Sequence, residues 1–525
     1  MLRKLIAAAA ALLTPTLADA EWKAVETNHF VIYSDGSEAA ARDAAVQLEK
    51  YLFVLKTVSH AKTPDSPLKV TLYLVSNTAA VQDAMSFGGN SRVAGFYSRD
   101  IRGAYAVMPR FVGGGRSGLT ALNTIFHELT HHFMFQYFAA AYPTWYSEGF
   151  ADFYGSMVIG PKDVVEIGRA LPNRELAFRQ NQWLPLSKML SARSYRDVGD
   201  SIGELYAQGW LLTHYLSVTG ARPGQLGKYL TLVNAGRPYG LAATEAFGDL
   251  DKLDSELRSY SVQRERKVMV LPFKAIDTGP VAVRPVSTAE DAMFGYSLAT
   301  RVGVPAKEAP GFVTRVAAVA ARFPNDPAAL STLFEAQLLA GQNAEATATA
   351  ARWRVAAPAD AQAVTAEAVA RMAALTAAKS TEGAAWNGVR QLLVTSNRMK
   401  PDQPRTLRAY YRTYAARGLS PSATASEGLF RAHEVLPQED GLRYELAAEL
   451  ERQGEIADAI TIIKPLAVKA DDTAVSARDK AKREELEAKY RLAGADRNEG
   501  ANDAARRMLD RLEAAAAKTG AKPAA

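Results

Sequence analysis

The chain of 525 residues contains no cysteine, so disulfides and thiolate metal sites are excluded. It also lacks long apolar runs: none approaches the roughly twenty residues that a membrane-spanning helix needs. No block of one charge sign stands out. The 62 lysines and arginines exceed the 56 aspartates and glutamates by a net charge of only +6, spread along the chain, so nucleic-acid binding is not expected. The glycine-rich stretch Gly113 to Gly118 lacks the Gly-Lys-Ser/Thr ending of a phosphate-binding loop and reads as a flexible connection. Histidine is scarce at seven, yet His127, His131 and His132 fall within one short segment.

What is present begins with a targeting pattern. Arg3 and Lys4 precede the apolar core Leu5 to Leu13, and Ala18-Asp19-Ala20 is a small-x-small cleavage site. Residues 1–20 are therefore expected to be a signal peptide cleaved after Ala20. A periplasmic or secreted location follows, with no stable membrane insertion after cleavage. A disulfide-free chain of this size suits the bacterial periplasm if its core is large enough to hold it.

The chemistry concentrates between Gly118 and Gly155. Leu119, Leu122, Ile125, Phe126, Leu129, Phe133 and Phe138 recur at helical spacing, with Ser117 as the expected N-cap. On such a helix His127 and His131 lie one above the other, as the histidines of a His-Glu-x-x-His motif. Two neutral imidazoles presented this way can bind zinc side by side. Glu128 sits next to the metal without being forced to ligate it, within reach of a proton on a water there. His132 points about 100° away around the helix and cannot replace His131. Pro143 ends this element, and Thr144 is the expected cap of a second helix carrying Glu148 and Asp152 on one face. A third ligand from a second helix leaves the fourth metal position for water, the arrangement of a catalytic site. Asp152 is placed to accept the other ring N–H of a ligating histidine.

These residues, His-Glu-Leu-Thr-His-His followed by Trp-Tyr-Ser-Glu-Gly-Phe-Ala-Asp-Phe-Tyr, resemble the gluzincin metallopeptidases of the peptidase MA superfamily. The resemblance implies one Zn2+ per chain held by His127, His131 and Glu148, with Glu128 as general base. The segment Tyr206-Ala207-Gln208-Gly209 looks like the Tyr-Glu-Lys-Gly helix of aminopeptidase-N-like enzymes and gives Tyr206 the role of steadying the oxyanion. Ala207-Gln208 departs from the acidic and basic pair of that motif, and no Gly-Ala-Met-Glu-Asn exopeptidase motif is present. The implied fold is an α+β, thermolysin-like catalytic domain: a small N-terminal mixed sheet plus a helical lobe. Strands at Phe30–Tyr33, Leu68–Val75, Ala94–Tyr97 and Gly103–Met108 would form the sheet. In gluzincins an edge strand binds the substrate backbone by strand addition, and Gly103 to Val107 is the expected strand; an ordinary meander strand is the equal alternative. Tyr206 has a bland alternative as well, in a buried apolar helix.

Beyond this domain, residues 21–265, a Gly- and Pro-broken segment at 266–290 reads as a linker with a short β stretch at Lys267 to Phe273. Residues 291–492 turn alanine-rich. Phe323-Pro324-Asn325-Asp326-Pro327 and Leu436-Pro437-Gln438-Glu439-Asp440 each open a helical hairpin with a Gly turn, ending near Pro358 or Pro465. These resemble tetratricopeptide repeats, which implies an all-α repeat domain with a surface for a protein partner. A plain helical domain packed on the first is the alternative. The Ala/charged tail, residues 493–525, is expected to be helical as far as Ala517. The expected substrate is a peptide or protein. A repeat scaffold with an inactive zinc site, and a zinc hydrolase of another bond, are the competing functions.

Overall fold

The computed structural model describes residues 22–85, 95–110, 120–138, 140–180, 183–263, 265–468 and 499–519. The expected signal segment, the Gly113–Gly118 connection and the cap at Ser117 lie outside these residues.

Alternating apolar residues make the first strands. β1 (Lys23–Glu26) and β2 (Phe30–Ser34) pair antiparallel, with Val25, Phe30 and Ile32 facing one side. Helix α1 (Glu38–Val58), capped by Ser37 as expected, crosses to β3 (Val70–Val75), parallel to β2. Helix α2 (Thr78–Met85) leads to the hairpin of β4 (Phe96–Asp100) and β5 (Gly103–Pro109). Then come the motif helices α3 (Ala121–Tyr137) and α4 (Thr144–Gly155). The short strands β6 (Val158–Ile159) and β7 (Val164–Ile167) follow. Helices α5 (Pro172–Arg179), α6 (Leu186–Ser191), α7 (Tyr195–Val198) and α8 (Ile202–Val218) come next. α9 (Gln225–Asn234), α10 (Tyr239–Phe247) and α11 (Leu250–Ser261) complete this lobe.

The segment read as a linker with a short β stretch supplies two strands, each built into a sheet. β8 (Met269–Pro272) pairs with β7, and β9 (Ala282–Pro285) pairs with β1. The result is a mixed six-stranded sheet in the order β4-β5-β3-β2-β1-β9, beside a three-stranded sheet β6-β7-β8. β5 lies between β3 and β4, so the expected edge strand Gly103–Val107 is interior and cannot accept another strand. The tight turn folds β4 outward, and β4 becomes the edge.

The period of two sorts the sheet residues by face. Leu72, Leu74, Ala104, Ala106 and Met108 join the core under α1 and α3. Tyr73, Val75, Tyr105 and Val107 face the other way and meet Leu298 and Val302 of α12 (Thr288–Val302). The C-terminal helical region thus begins as the second cover of the sheet. It continues through α13 (Ala309–Ala320), α14 (Pro327–Leu339), α15 (Asn343–Ala356), α16 (Ala361–Ala377), α17 (Gly383–Met399), α18 (Pro404–Ala415), α19 (Ala423–Val435), α20 (Asp440–Gln453), α21 (Ile456–Val468) and α22 (Glu499–Thr519). Consecutive helices pack on one another, and the two anticipated hairpins are α14–α15 and α20–α21. Pro465 falls inside α21 and does not end it.

His29 ties the start of β2 to α1. Its Nδ1 lies 2.7 Å from Glu49 Oε2 and its Nε2 lies 3.3 Å from Asp65 Oδ2. The Glu49 bond raises the His29 pKa above 6.5 against the effect of burial. Burial pushes the other way on Glu49, but His29 holds its carboxyl below 4.5. A raised histidine stabilises fully below its ordinary value and loses this as pH rises through the folded value; a depressed glutamate loses its contribution as pH falls. His29→Asn is expected to cost about 1 kcal/mol near pH 6 and progressively less towards about pH 9, measured by denaturant unfolding.

Candidate metal centre

Helix α3 starts three residues later than the sequence suggested. Thr120 caps it through a reciprocal pair: its Oγ1 accepts from the Asn123 N–H at 3.1 Å, and Asn123 Oδ1 accepts from the Thr120 N–H at 3.2 Å. Phe126, Leu129 and Phe133 bury one face in the core. Tyr51 of α1 stacks on Phe126 at 3.9 Å, and its hydroxyl shares a 2.6 Å hydrogen bond with Thr130. With that face locked, His127 and His131 point away from the core, and their Nε2 atoms lie 3.2 Å apart.

Helix α4 begins at Thr144 itself. Pro143 occupies the cap without a side-chain bond, and the Thr144 hydroxyl donates instead to the Arg193 carbonyl at 2.7 Å. Its position is set by glycine. A Cβ on Gly149 would overlap the Gly209 carbonyl of α8, and a Cβ on Gly209 would lie 2.6 Å from the Trp145 carbonyl. A Cβ on Gly155 would press on the His127 backbone at 3.1 Å. The three glycines therefore bring α4 into backbone contact with α8 on one side and α3 on the other. This approach carries Glu148 to the histidines. Its Oε2 lies 3.2 Å from His127 Nε2 and 3.6 Å from His131 Nε2.

The three donor atoms fit a metal ion. Bonds of 2.0–2.1 Å at tetrahedral angles place ligand atoms about 3.3 Å apart, close to the three separations here. Glu148 Oε2 is buried and has no hydrogen-bond partner, a costly state for a carboxylate oxygen unless a cation supplies the missing contact. Among the described residues, His127, His131 and Glu148 are the group able to hold a metal ion.

The surroundings orient these ligands. His127 Nδ1 lies 2.9 Å from Asp152 Oδ1, which places the ring proton on Nδ1 and leaves Nε2 as the lone pair. Arg174 of α5 clamps Asp152 from behind, at 2.6 and 3.2 Å. Burial opposes ionisation of Asp152, but Arg174 and His127 hold its carboxyl below its ordinary value. Burial likewise opposes ionisation of Glu148, and the imidazoles of His131 and His127 hold it well below the carboxylate range. Burial works against charge on His127, yet Asp152 and Glu148 push its pKa up to about 10.

Glu128 lies beside the ligands as expected. Burial raises its carboxyl above its ordinary value, against the pull of His127 and His131. It accepts a hydrogen bond from the Tyr97 backbone N–H of edge strand β4. Tyr206 stacks against His127 with centroids 6.0 Å apart, and Arg174 lies 4.6 Å over its ring. Its hydrogen-bond partner is Tyr195, whose hydroxyl donates to Glu148 Oε1. His132 is buried, its pKa lowered to about 3 by desolvation, with its Nδ1 3.2 Å from the Tyr97 hydroxyl. His214 bonds the Lys267 carbonyl at 3.0 Å and Tyr260 at 2.8 Å, a structural role.

Sequence reasoning missed Tyr195, Arg174 and Tyr97. The first two come from the irregular stretch between α4 and α8, where no spacing marks a ligand's neighbour. Aromatic and basic residues in such a stretch were the signal available.

Two outcomes follow from this packing. Gly149→Ala is expected to destabilise the chain by about 3 kcal/mol, because the added carbon would overlap the Gly209 backbone carbonyl, which cannot rotate away, and to release bound metal; thermal unfolding and metal content measure this. Tyr195→Phe frees Glu148 Oε1 and is expected to weaken divalent-metal affinity about 10-fold or more in chelator competition, with a smaller loss for Tyr206→Phe.

A scan against protein-family models finds no match to this chain, and a search of curated proteins likewise finds none.

Proposed function

We propose that the chain is a periplasmic or secreted zinc-dependent peptidase of gluzincin type, followed by tetratricopeptide-like helical hairpins. The observation that carries this reading is the mutual spacing of His127 Nε2, His131 Nε2 and Glu148 Oε2, with the Glu128 carboxyl beside them. The donor set supports zinc: two imidazoles and one carboxylate, leaving a fourth position for water. The resemblance of the two motif helices to gluzincins adds peptide-bond hydrolysis as the reaction.

Bound at these ligands, zinc would polarise the scissile carbonyl and lower the pKa of a water towards about 7. The rest falls to side chains. Glu128, with its carboxyl raised by burial, takes a proton from the attacking water and returns it to the leaving nitrogen. Asp152 keeps His127 in the tautomer that offers Nε2, and Arg174 keeps Asp152 ionised. Tyr195 and Tyr206 stand as hydroxyl donors on the Glu148 side, and one of them facing the developing oxyanion would contribute about 10²–10³ in rate. Edge strand β4 replaces Gly103–Val107 as the proposed rail for the substrate backbone, since no described strand pairs with its outer side and it runs past Glu128.

The test is metal content by mass spectrometry on wild type, Glu148→Ala and Glu128→Gln, each assayed on a mixed peptide library. Expected are one zinc per chain in wild type, loss of zinc in Glu148→Ala, and retained zinc without cleavage in Glu128→Gln. Retention of full zinc by Glu148→Ala would remove the third ligand. Zinc without cleavage by wild type would turn the reading to a scaffold with an inactive site.

A further inference from the structure

The turn of the β4–β5 hairpin is held by helices far apart in sequence. Asp100 pairs with Arg301 of α12 at 3.3 Å, and Arg301 also donates to the Gly103 carbonyl at 2.8 Å. Arg102 donates to the Thr300 carbonyl at 3.2 Å and lies 3.8 Å from Glu335 of α14, which itself pairs with Arg405 of α18. Ile101 packs on the apolar cluster that includes Tyr411, Leu429 and Leu446. The helical hairpins therefore receive the hairpin tip at α12, α14 and the α18–α20 region together.

Strand β4 itself is gripped by the turn that opens α20. Gln438 is 4% exposed and satisfied on every side. Its Oε1 accepts from the Tyr97 hydroxyl, and its Nε2 donates to Gln136 Oε1 at 2.9 Å. Its carbonyl accepts from Arg99 Nε at 2.6 Å, and Arg99 also meets Asp440 at 3.1 Å. Gln136 donates in turn to the Val435 carbonyl at 3.2 Å. Tyr97, held by its hydroxyl in this way, presents its backbone N–H to Glu128. Arg99 spans the same junction, 5.7 Å over Phe135, whose ring stacks on His131 at 6.3 Å.

We propose that the helical hairpins serve this chain's own catalytic lobe: they clamp the β4–β5 hairpin, and Gln438 is a positioning residue that fixes Tyr97 and, through it, the edge strand beside Glu128. A partially satisfied buried polar junction is costly, so one that is fully satisfied selects a single arrangement of strand and helices. A separate protein partner would then use other surfaces of the helices or displace the hairpin. The catalytic consequence rests on the peptidase reading; the clamp itself does not.

The experiment uses full-length Gln438→Ala, Tyr97→Phe and the double variant. Amide hydrogen exchange over Phe96–Asp100 reads the clamp, and zinc content and unfolding temperature read the integrity of the site. Both single variants are expected to keep stoichiometric zinc and to speed exchange in β4 about tenfold. On a cleaved peptide, kcat is expected to fall about tenfold with a much smaller change in KM, and the double variant is expected to match the worse single one, because Gln438 acts through Tyr97. Tyr97→Phe removes one hydroxyl and keeps the question answerable if Gln438→Ala folds poorly. Unchanged exchange in β4 would overturn the clamp, and additive losses in the double variant would overturn the route through Tyr97. If wild type cleaves nothing, the peptidase reading fails while the exchange result still decides the clamp.

Discussion

The close approach of three helices at Gly149, Gly209 and Gly155 is the constraint on which the site depends. Without side chains at these positions, α4 touches the backbones of α8 and α3. Only at that separation does Glu148 reach the two imidazoles. The same contact sets Asp152 against His127. A single methyl group at the crossing meets backbone, which cannot rotate away as a side chain can.

Charge then completes what packing begins. Four groups alternate through the buried site: Arg174, Asp152, His127 and Glu148. Each is held by the next, so no carboxylate or imidazole is left to face desolvation alone. The exception is Glu148 Oε2, which points at the histidines with no proton donor in ordinary geometry. A buried carboxylate oxygen without a hydrogen-bond partner, aimed between two imidazole nitrogens, could hold a cation. Glu128 stands outside that alternation, and burial raises its carboxyl. One helix thus presents two kinds of group: two imidazoles that could hold an ion on one face and, a residue round from them, a buried carboxyl raised above its ordinary value.

The division between lobes is less sharp than composition suggests. α12 covers one face of the six-stranded sheet, and the stretch at 266–290 gives a strand to each sheet. The helical hairpins then close on the tip of β4–β5. A sheet edge is normally a liability, open to pairing with any chain. Here the edge strand is anchored at its side chains, and no described strand pairs with its outer side.

By itself the sequence determined the local features. Helical spacing put His127 and His131 on one face, and Glu148 and Asp152 on the face of a second helix, because a 3.6-residue period is a property of the chain alone. The strands, the Ser37 cap and the frames of the α14–α15 and α20–α21 hairpins were legible for the same reason: each is fixed within a few residues. Tertiary structure decided whatever needed two distant segments to meet. It made β4 the edge and β5 interior, since strand order is not a local property. It drew the Thr144 hydroxyl to the Arg193 carbonyl and left Pro143 at the cap of α4. It brought Arg174 and Tyr195 to the ligands, and Gln438 to Tyr97 across 341 residues. No periodicity encodes such contacts, because they exist only once the glycine crossing and the sheet have fixed where each element lies.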